Sequence, residues 1–502
     1  MIFRVPESLE LTECISILVG ITLGSGIFMG NDVFNHTGSV TASFLIWLLS
    51  GTLNAMGAWT LVELGCAFPR YGGDYIYLYE AFGPLIGFLH LWSTIVIVLP
   101  CSSGIYISTF TYNIVNTILP AECSKWNLTV NKLLSTVAVL LVTYLHCLNV
   151  KFTTRLQNAF MYIKLTMVIL MIIGGLIWMM REGMDNLSNW TYHKRSVKSW
   201  SYAINYGLFS FTGWNSLNVL IEEIKDPMET FPKAMTIMVP ILFACYLLIN
   251  LCYVTTLGLE GVSKSKMISM DFAAKALNQL KPWAMPAMVG VSIFGTLSVN
   301  TMITSRLFIA GARNGHLPEV LHHINLFRLT PIPSIIFAMT TAFILALSGA
   351  DVSALVTYRT MVSSIFSLCS VSACIVLKYR RPELKRPIEV PLAIPFVYVT
   401  VYSIILTGIL ALRPLPLLVS AAAISSGIPV YYLFIKRRPK ALSQFMSKFT
   451  QIIQKLLLTA AQEDEDDVRI FSTVVDKRTA HQKSLILKKK SISARSFRKE
   501  NP

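Results

Sequence analysis

The sequence predicts an all-α membrane protein of about twelve transmembrane helices, and three observations carry that prediction. Of its 502 residues, 54% are hydrophobic and only 14% charged, against about 25% charged in soluble domains. Runs such as "LLSTVAVLLVTYLHCL" and "LTMVILMIIGGLIWMM" fit the ruler of roughly 20 apolar residues per span, and such runs recur about twelve times. Two of them carry glycine beside small polar residues in mid-span, at matching places in the two halves of the chain.

The candidate spans begin near residues 13, 40, 85, 131, 156, 201, 234, 284, 333, 354, 391 and 415. The first apolar stretch runs straight into a full span, so no cleavable signal peptide is evident. The first span reads "LVGITLGSGIFMG" from 18 to 30, with Gly24, Ser25 and Gly26 at its middle. Glycine weakens a helix by about 1 kcal/mol relative to alanine, and lipid punishes unpaired backbone most at that depth. The sixth span, "NYGLFSFTGWNSLNVLIEE", repeats the pattern with Ser210, Thr212 and Gly213. The two stand five places apart in the order of spans, an odd offset, so the second enters the membrane from the opposite side. Either interruption alone reads as helix packing; two in register point to an inverted repeat with a solute site near the midplane. The half-helix N-terminus around Ser25 and Gly26 then offers a positive dipole end suited to a carboxylate. On this reading residues 1–10 are a short N-terminus and 11–435 the membrane unit. That unit divides into repeat one (about 11–181), repeat two (about 200–378) and two extra spans (about 391–435), followed by a tail at 436–502.

Formal net charge is +16, and the stretch from Lys436 to Pro502 holds 16 Lys or Arg against 7 Asp or Glu. With "KYRRPELKR" at 378–386 and "KRRPK" at 436–440, the positive-inside rule places these loops and both termini in the cytoplasm. The sequons at Asn35, Asn127, Asn186 and Asn189 all fall in loops this topology puts outside; Asn127, Asn186 and Asn189 are the glycosylation candidates, Asn35 lying too near the membrane. Eight of nine cysteines lie in spans or at their inner ends, while Cys123 sits in an outer loop with no partner cysteine evident there, which suggests a bond to another protein. In the tail, 441–458 places Leu442, Phe445, Met446, Phe449, Ile452, Ile453, Leu456 and Leu457 on one helical face, fit to lie on anionic inner-leaflet lipid or under the bundle. The basic end beyond it reads as disordered.

Composition and spacing exclude other classes. His90 and His146 are isolated, and Glu222, Glu223 and Asp271 read as helix-end or loop charges, so no acid-base constellation, metal cluster or cofactor motif is expected and the chain is not read as an enzyme. No filter repeat supports a channel, and no nucleic-acid partner is expected.

The blocks "GSGIF", "VELGCAFPRYGGDYIYL", "FGPLIGFLHLW", "GWNSLN" with "EEIKDP", "SRLFIAGARNGHLPEVL", "RRPELKRPIEVPLAIP" and "GIPVYYLF" resemble, in order, the light-chain subunits of the heteromeric amino acid transporters, the L-type and xCT-like group of the amino acid-polyamine-organocation superfamily. The resemblance runs from about residue 8 to 467. It implies the LeuT-type fold of two inverted five-helix repeats plus two spans, and sodium-independent exchange of amino acids at the plasma membrane. It further implies that N–H groups at Ser25 and Gly26, with Gly24 in the break, receive the substrate carboxylate, that the Thr22 and Phe209 carbonyls take the ammonium, and that Phe209 is an outer aromatic gate. Thr212, Gly213, Asn215 and Ser363 join them as substrate-binding candidates. Lys164, a charge inside span 5, is expected against the first broken helix in the place of a sodium ion. Cys123 matches the cysteine that bonds a single-span glycoprotein heavy chain of the rBAT or CD98 type.

Side-chain specificity rests on four positions. Among the light chains it resembles, the rBAT-linked cationic transporters carry aspartate where Thr212 stands, and the cystine/glutamate exchanger carries arginine where Ser363 stands. Leu99 replaces a common arginine of span 3. Arg359 lies one turn before Ser363 and is read chiefly as snorkelling to the outer interface, with anion recognition as the other role. Small walls at Thr212 and Ser363 point to neutral, bulky or aromatic L-amino acids. An anionic amino acid or cystine exchanger, or a non-transporting amino acid sensor, is the alternative.

Overall fold

The computed structural model describes residues 5, 7–28, 30–118, 124–183, 196–265, 267–277, 283–348, 351–412 and 414–461. These are helical apart from loops and a three-residue antiparallel pairing of His323–Asn325 with Thr459–Ala461. Nine described helices, from Val40–Ala67 to Pro414–Lys436, are long and apolar enough to cross a membrane, and Leu11–Thr22 and Ile332–Leu345 are apolar but shorter. With Val197–Ser210, the leading part of the sixth predicted span, every predicted span position holds a helix. The first and sixth fall short because each is interrupted.

Side-chain periodicity sets which face meets lipid. Along Ser124–Leu148, Leu133, Val137, Leu140 and Tyr144 are exposed while Ser135, Val139, Val142 and His146 are buried, an apolar outward stripe at helical spacing that would be unfavourable in water. The third span carries a π-turn at Thr94–Val98 between Pro84–Ser93 and Leu99–Ile118. The extra residue in that turn rotates Leu99 and Ser102 toward the bundle interior, and such bulges concentrate at functional sites.

Corresponding spans of the two halves pack on each other: Val40–Ala67 on Pro227–Lys264, Leu99–Ile118 on Ala284–Arg313, and Ser124–Leu148 on Ile332–Ser348. The interrupted spans do the same, with Leu11–Thr22 against Ser216–Val219 and Ser25–Phe28 against Val197–Ser210. Four predicted span pairs thus touch across the two halves, contacts that inverted repeats would bring about, and the helical bundle agrees with the predicted all-α membrane class.

One deep carboxylate is paired across the bundle. Glu63, fully buried in span 2, accepts from the Val390 N–H at 2.7 Å and lies 2.8 Å from Lys378 Nζ and 3.3 Å from Arg386 Nε. This explains the basic "KYRRPELKRP" block from inside: two of its cations neutralise a carboxylate across the bundle. The tail helix forms over Lys440–Leu457, but its apolar face is divided. Ile453 packs against Ala312, Val320 and Leu321 under the bundle, while Phe445, Phe449, Ile452 and Leu456 stay exposed. The pairing of Thr459–Ala461 with the linker between spans 8 and 9 has no signal in hydropathy.

Candidate binding site between the broken helices

Glycines make both breaks possible and fix how closely they meet. Helix Leu11–Thr22 stops at Leu23 (φ −80°, ψ 54°); a tight 3-10 turn, Ser25–Phe28, follows, then Gly30–Thr37. A Cβ on Gly24 would stand 2.9 Å from Thr296 Cγ2, and one on Gly26 would stand 2.7 Å from Ser210 Cα. The second break starts after Val197–Ser210 and resumes as Ser216–Val219. Between them Gly213 has φ 108°, and its Cβ would meet Ile21 Cγ2 at 2.8 Å. Conformation and space both demand glycine there.

A residue that sequence reasoning missed ties the two breaks together. Tyr246, from Pro227–Lys264, holds its hydroxyl 2.7 Å from the carbonyl oxygens of both Thr22 and Ser210, and its ring packs 4.6 Å from that of Phe211. One hydroxyl donates to one of these carbonyls at a time. The only signal was a tyrosine amid "LFACYLLINL", which reads equally as a packed aromatic.

Lys164 is fully buried in Val150–Glu182. Its ammonium donates to the Gly20 carbonyl, and to Thr296 Oγ1 at 2.7 Å. Thr296 Oγ1 lies 3.0 Å from the same carbonyl, so the end of the first half-helix is bonded to a cation from span 5 and a hydroxyl from span 8.

Beside this junction lies a cavity of about 170 Å³. Leu99, Thr212, Gly213, Asn215, Arg359 and Ser363 line it together with Asn54, Asp74, His90 and Asn300. Thr22, Gly24, Gly26 and Phe209 are not in its lining; they belong to the packed junction. The Thr22 carbonyl accepts from Tyr246, and the Phe209 carbonyl from Thr212 through N–H at 3.0 Å and Oγ1 at 2.7 Å. The two expected ammonium acceptors are thus engaged by protein donors in this conformation, the Phe209 carbonyl by the Phe211 N–H as well. Asn215 Nδ2 donates to Asp74 Oδ2 at 2.6 Å. Ser25 lies in the 3-10 turn, with its side chain outside the described atoms; the side chain of Asn127, and Cys123, Asn186 and Asn189 entirely, also lie outside the described residues.

Two sequence expectations are corrected. Arg359 does not snorkel outward: it is 8% exposed, donates from Nε to Ser102 Oγ at 2.7 Å and from Nη1 to Thr212 Oγ1 at 3.0 Å, and stacks 5.1 Å from the Phe209 ring centroid. Hydroxyls on spans 3 and 6 capture the guanidinium before it can reach the interface. Nor are Glu222 and Glu223 simple helix-end charges. Glu223 is fully buried and pairs with Arg306 (Nε–Oε1 2.6 Å), and its Oε1 accepts from the Tyr71 hydroxyl at 3.0 Å. Glu222 pairs with Arg313 at 2.7 Å and accepts from the Tyr71 N–H. Three sequence blocks, "PRYGG", "EEIKDP" and "SRLFIAGAR", therefore meet in one ion network. The N–H groups of Ser8 and Leu9 bond to the Glu223 carbonyl and add the N-terminal segment to it.

Comparisons with known proteins agree with this architecture. The family described as amino acid permease matches residues 9–435. The large neutral amino acids transporter small subunit 2 of Mus musculus is 31% identical over 483 residues, covering 92% of this chain and 89% of that protein. The Asc-type amino acid transporter 1 of Mus musculus is 32% identical over 457 residues, covering 90% and 86%. The cystine/glutamate transporter of Pongo abelii is 30% identical over 468 residues, covering 92% of each. These relatives are transporters rather than enzymes. With an all-α membrane bundle, two broken helices and a cavity between the halves, the chain belongs to the amino acid permease family, in the light-chain group its sequence blocks resemble.

Proposed function

We propose that this chain is the transport subunit of a sodium-independent amino acid exchanger working by alternating access. The observation that carries the reading is the meeting of two interrupted helices, glycine against glycine-sized space, beside a polar cavity in the middle of an apolar bundle. Unwound backbone is tolerated at that depth only where it is buried in protein or faces a solute. The N–H groups of the Ser25–Phe28 turn suit a carboxylate, and the Thr22 and Phe209 carbonyls suit an ammonium once Tyr246 and Thr212 share or release them. Together they would read the zwitterionic head common to all amino acids by charge-assisted bonds. Lys164 supplies a fixed cation at the first break, where its bond to Gly20 removes the need for a sodium ion. The relatives' names span large neutral amino acids, Asc-type substrates and cystine with glutamate, so the head group is the shared element; small neutral walls at Thr212 and Ser363 favour neutral substrates as a baseline.

The reading extends to assembly and placement. One relative is named as a small subunit, which supports a larger partner; Cys123 is the residue we assign to a disulfide with a single-span glycoprotein heavy chain at the plasma membrane, with both termini cytoplasmic. Counterflow in sodium-free proteoliposomes tests exchange directly: uptake of labelled amino acid should require unlabelled amino acid inside, and uptake indifferent to the internal solution would reject it. For the partner, a non-reducing gel should show a large band that collapses on reduction and disappears with Cys123→Ser; an unchanged band would reject the bond.

A further inference from the structure

We propose that Glu319, His322 and His323 form a binding site for a zinc-class divalent cation, which fixes the linker between spans 8 and 9 against the tail. The proposal is independent of the exchange reading, and it revises the sequence expectation of no metal cluster.

Local backbone geometry brings the three side chains together. Glu319–His322 is a 3-10 turn, in which residues three apart eclipse one another, so the Glu319 carboxylate and the His322 ring leave the same side. The chain then becomes extended at His323 (φ −77°, ψ 143°), and the two imidazoles stand 4.9 Å apart between centroids, at 86°. One ligand atom from each of the three residues lies within 4.8 Å of the others, and among the described residues this is the one such group of His, Cys, Asp or Glu side chains. The other face of the turn is anchored: Val320 and Leu321 pack with Ala312 and Ile453, and the Leu321 carbonyl accepts from the Ser334 hydroxyl.

A second observation points to a ligand. His323 is 1% exposed, yet neither of its ring nitrogens has a hydrogen-bond partner among the described residues. A buried polar group left in that state is costly, and a metal ion takes the lone pair of one nitrogen. Two imidazoles and one carboxylate are a donor set for zinc and its neighbours, whereas magnesium and calcium take oxygen ligands. Zinc bonds at about 2.0–2.2 Å in a tetrahedron, which sets its ligands roughly 3.4 Å apart. Closing from 4.8 Å then takes a shift of about 1.5 Å at most, within reach of the exposed Glu319 side chain. Water completes the fourth position, to which that exposure gives access.

The site stands where the tail docks. His323 opens the strand that pairs with the tail, opposite Ala461. Asn325 Nδ2 donates to the Leu457 carbonyl at 2.8 Å, and the Leu326 N–H donates to that of Leu458 at 3.0 Å. A cation tying His323 to the turn before it favours, by linkage, the conformation in which the tail strand has its partner.

The test titrates Zn2+ into the purified full-length chain, wild type and the Glu319→Gln, His322→Gln double variant, with Mg2+ and Ca2+ as comparison ions. Wild type should bind one zinc that the double variant loses or holds at least about 100-fold more weakly, since loss of even an outer partner of a ligand costs about 10- to 100-fold. Co2+ in place of zinc should give the visible absorption of a four-coordinate site in wild type alone. His323→Leu should abolish binding too; if that buried change prevents folding, the double variant, altered at an exposed and a half-buried side chain, still decides. With Zn2+ at about 100 times its Kd, hydrogen exchange across Thr459–Ala461 should slow on the order of 10- to 100-fold in wild type and not in the double variant. Equal zinc binding by the two proteins, no zinc binding by wild type, or preference for Mg2+ or Ca2+ overturns the site; bound zinc with unchanged exchange of the tail strand overturns the clamp.

Discussion

Gly213→Ala tests how tightly the two broken helices are locked. Two separable costs follow from the structure. At φ 108° an alanine is held outside its allowed regions, worth about 1–3 kcal/mol. Its Cβ also enters the space of Ile21, at 2.8 Å from Cγ2 and 2.9 Å from Cγ1, an overpacking worth roughly 1–3 kcal/mol. The sum, on the order of 2–6 kcal/mol, is a large fraction of a marginal stability. Ile21→Ala alone should cost about 2–5 kcal/mol through the cavity it leaves. Combined, the two should cost less than their sum by roughly 1–3 kcal/mol, because the second change removes the atoms the first collides with while the backbone strain remains. Thermal unfolding of the solubilised complex gives the stability terms, and counterflow shows whether the repaired junction still moves. An unchanged midpoint in Gly213→Ala, or strict additivity with Ile21→Ala, would refute the claim that this glycine holds the breaks in contact.

Three other outcomes are expected. Lys164→Met should lower exchange by at least about tenfold at equal surface expression, since the bonds from its charged donor to the Gly20 carbonyl of the first half-helix and to Thr296 of span 8 are lost; normal uptake would remove Lys164 from the mechanism. Glu223→Gln should destabilise by roughly 3–5 kcal/mol because Arg306 stays buried and uncompensated, whereas replacing both by methionine should cost less; midpoints in the opposite order would show that the pair is not the element joining Tyr71, the second half-helix and span 8. A tryptophan at Phe449 should show blue-shifted emission quenched by brominated lipid, given the open apolar face of Lys440–Leu457; water-exposed, unquenched emission would mean that face does not lie on a bilayer.

Hydropathy alone located the apolar helices, nine of them long enough among the described residues to cross a membrane, because burial in lipid acts on each helix separately and leaves its mark in about twenty consecutive residues. Glycine beside serine or threonine located both breaks for a similar reason: unwinding is a local backbone property, and Gly24, Gly26 and Gly213 are where the chain needs missing side chains. Thr212, Gly213, Asn215, Ser363 and Leu99 could be named as site candidates by their positions relative to the family the chain resembles, and they line one cavity. What the linear order could not decide was direction and partnership. Whether Arg359 turns to the interface or to the cavity depends on hydroxyls at Ser102 and Thr212, 257 and 147 residues away. Glu223 reads as a loop charge until Arg306 from span 8 is packed against it, and Tyr246 reads as core until both broken carbonyls converge on its hydroxyl. Long-range electrostatics and hydrogen bonding belong to pairs of residues, so they come into being only when tertiary packing brings the pairs together.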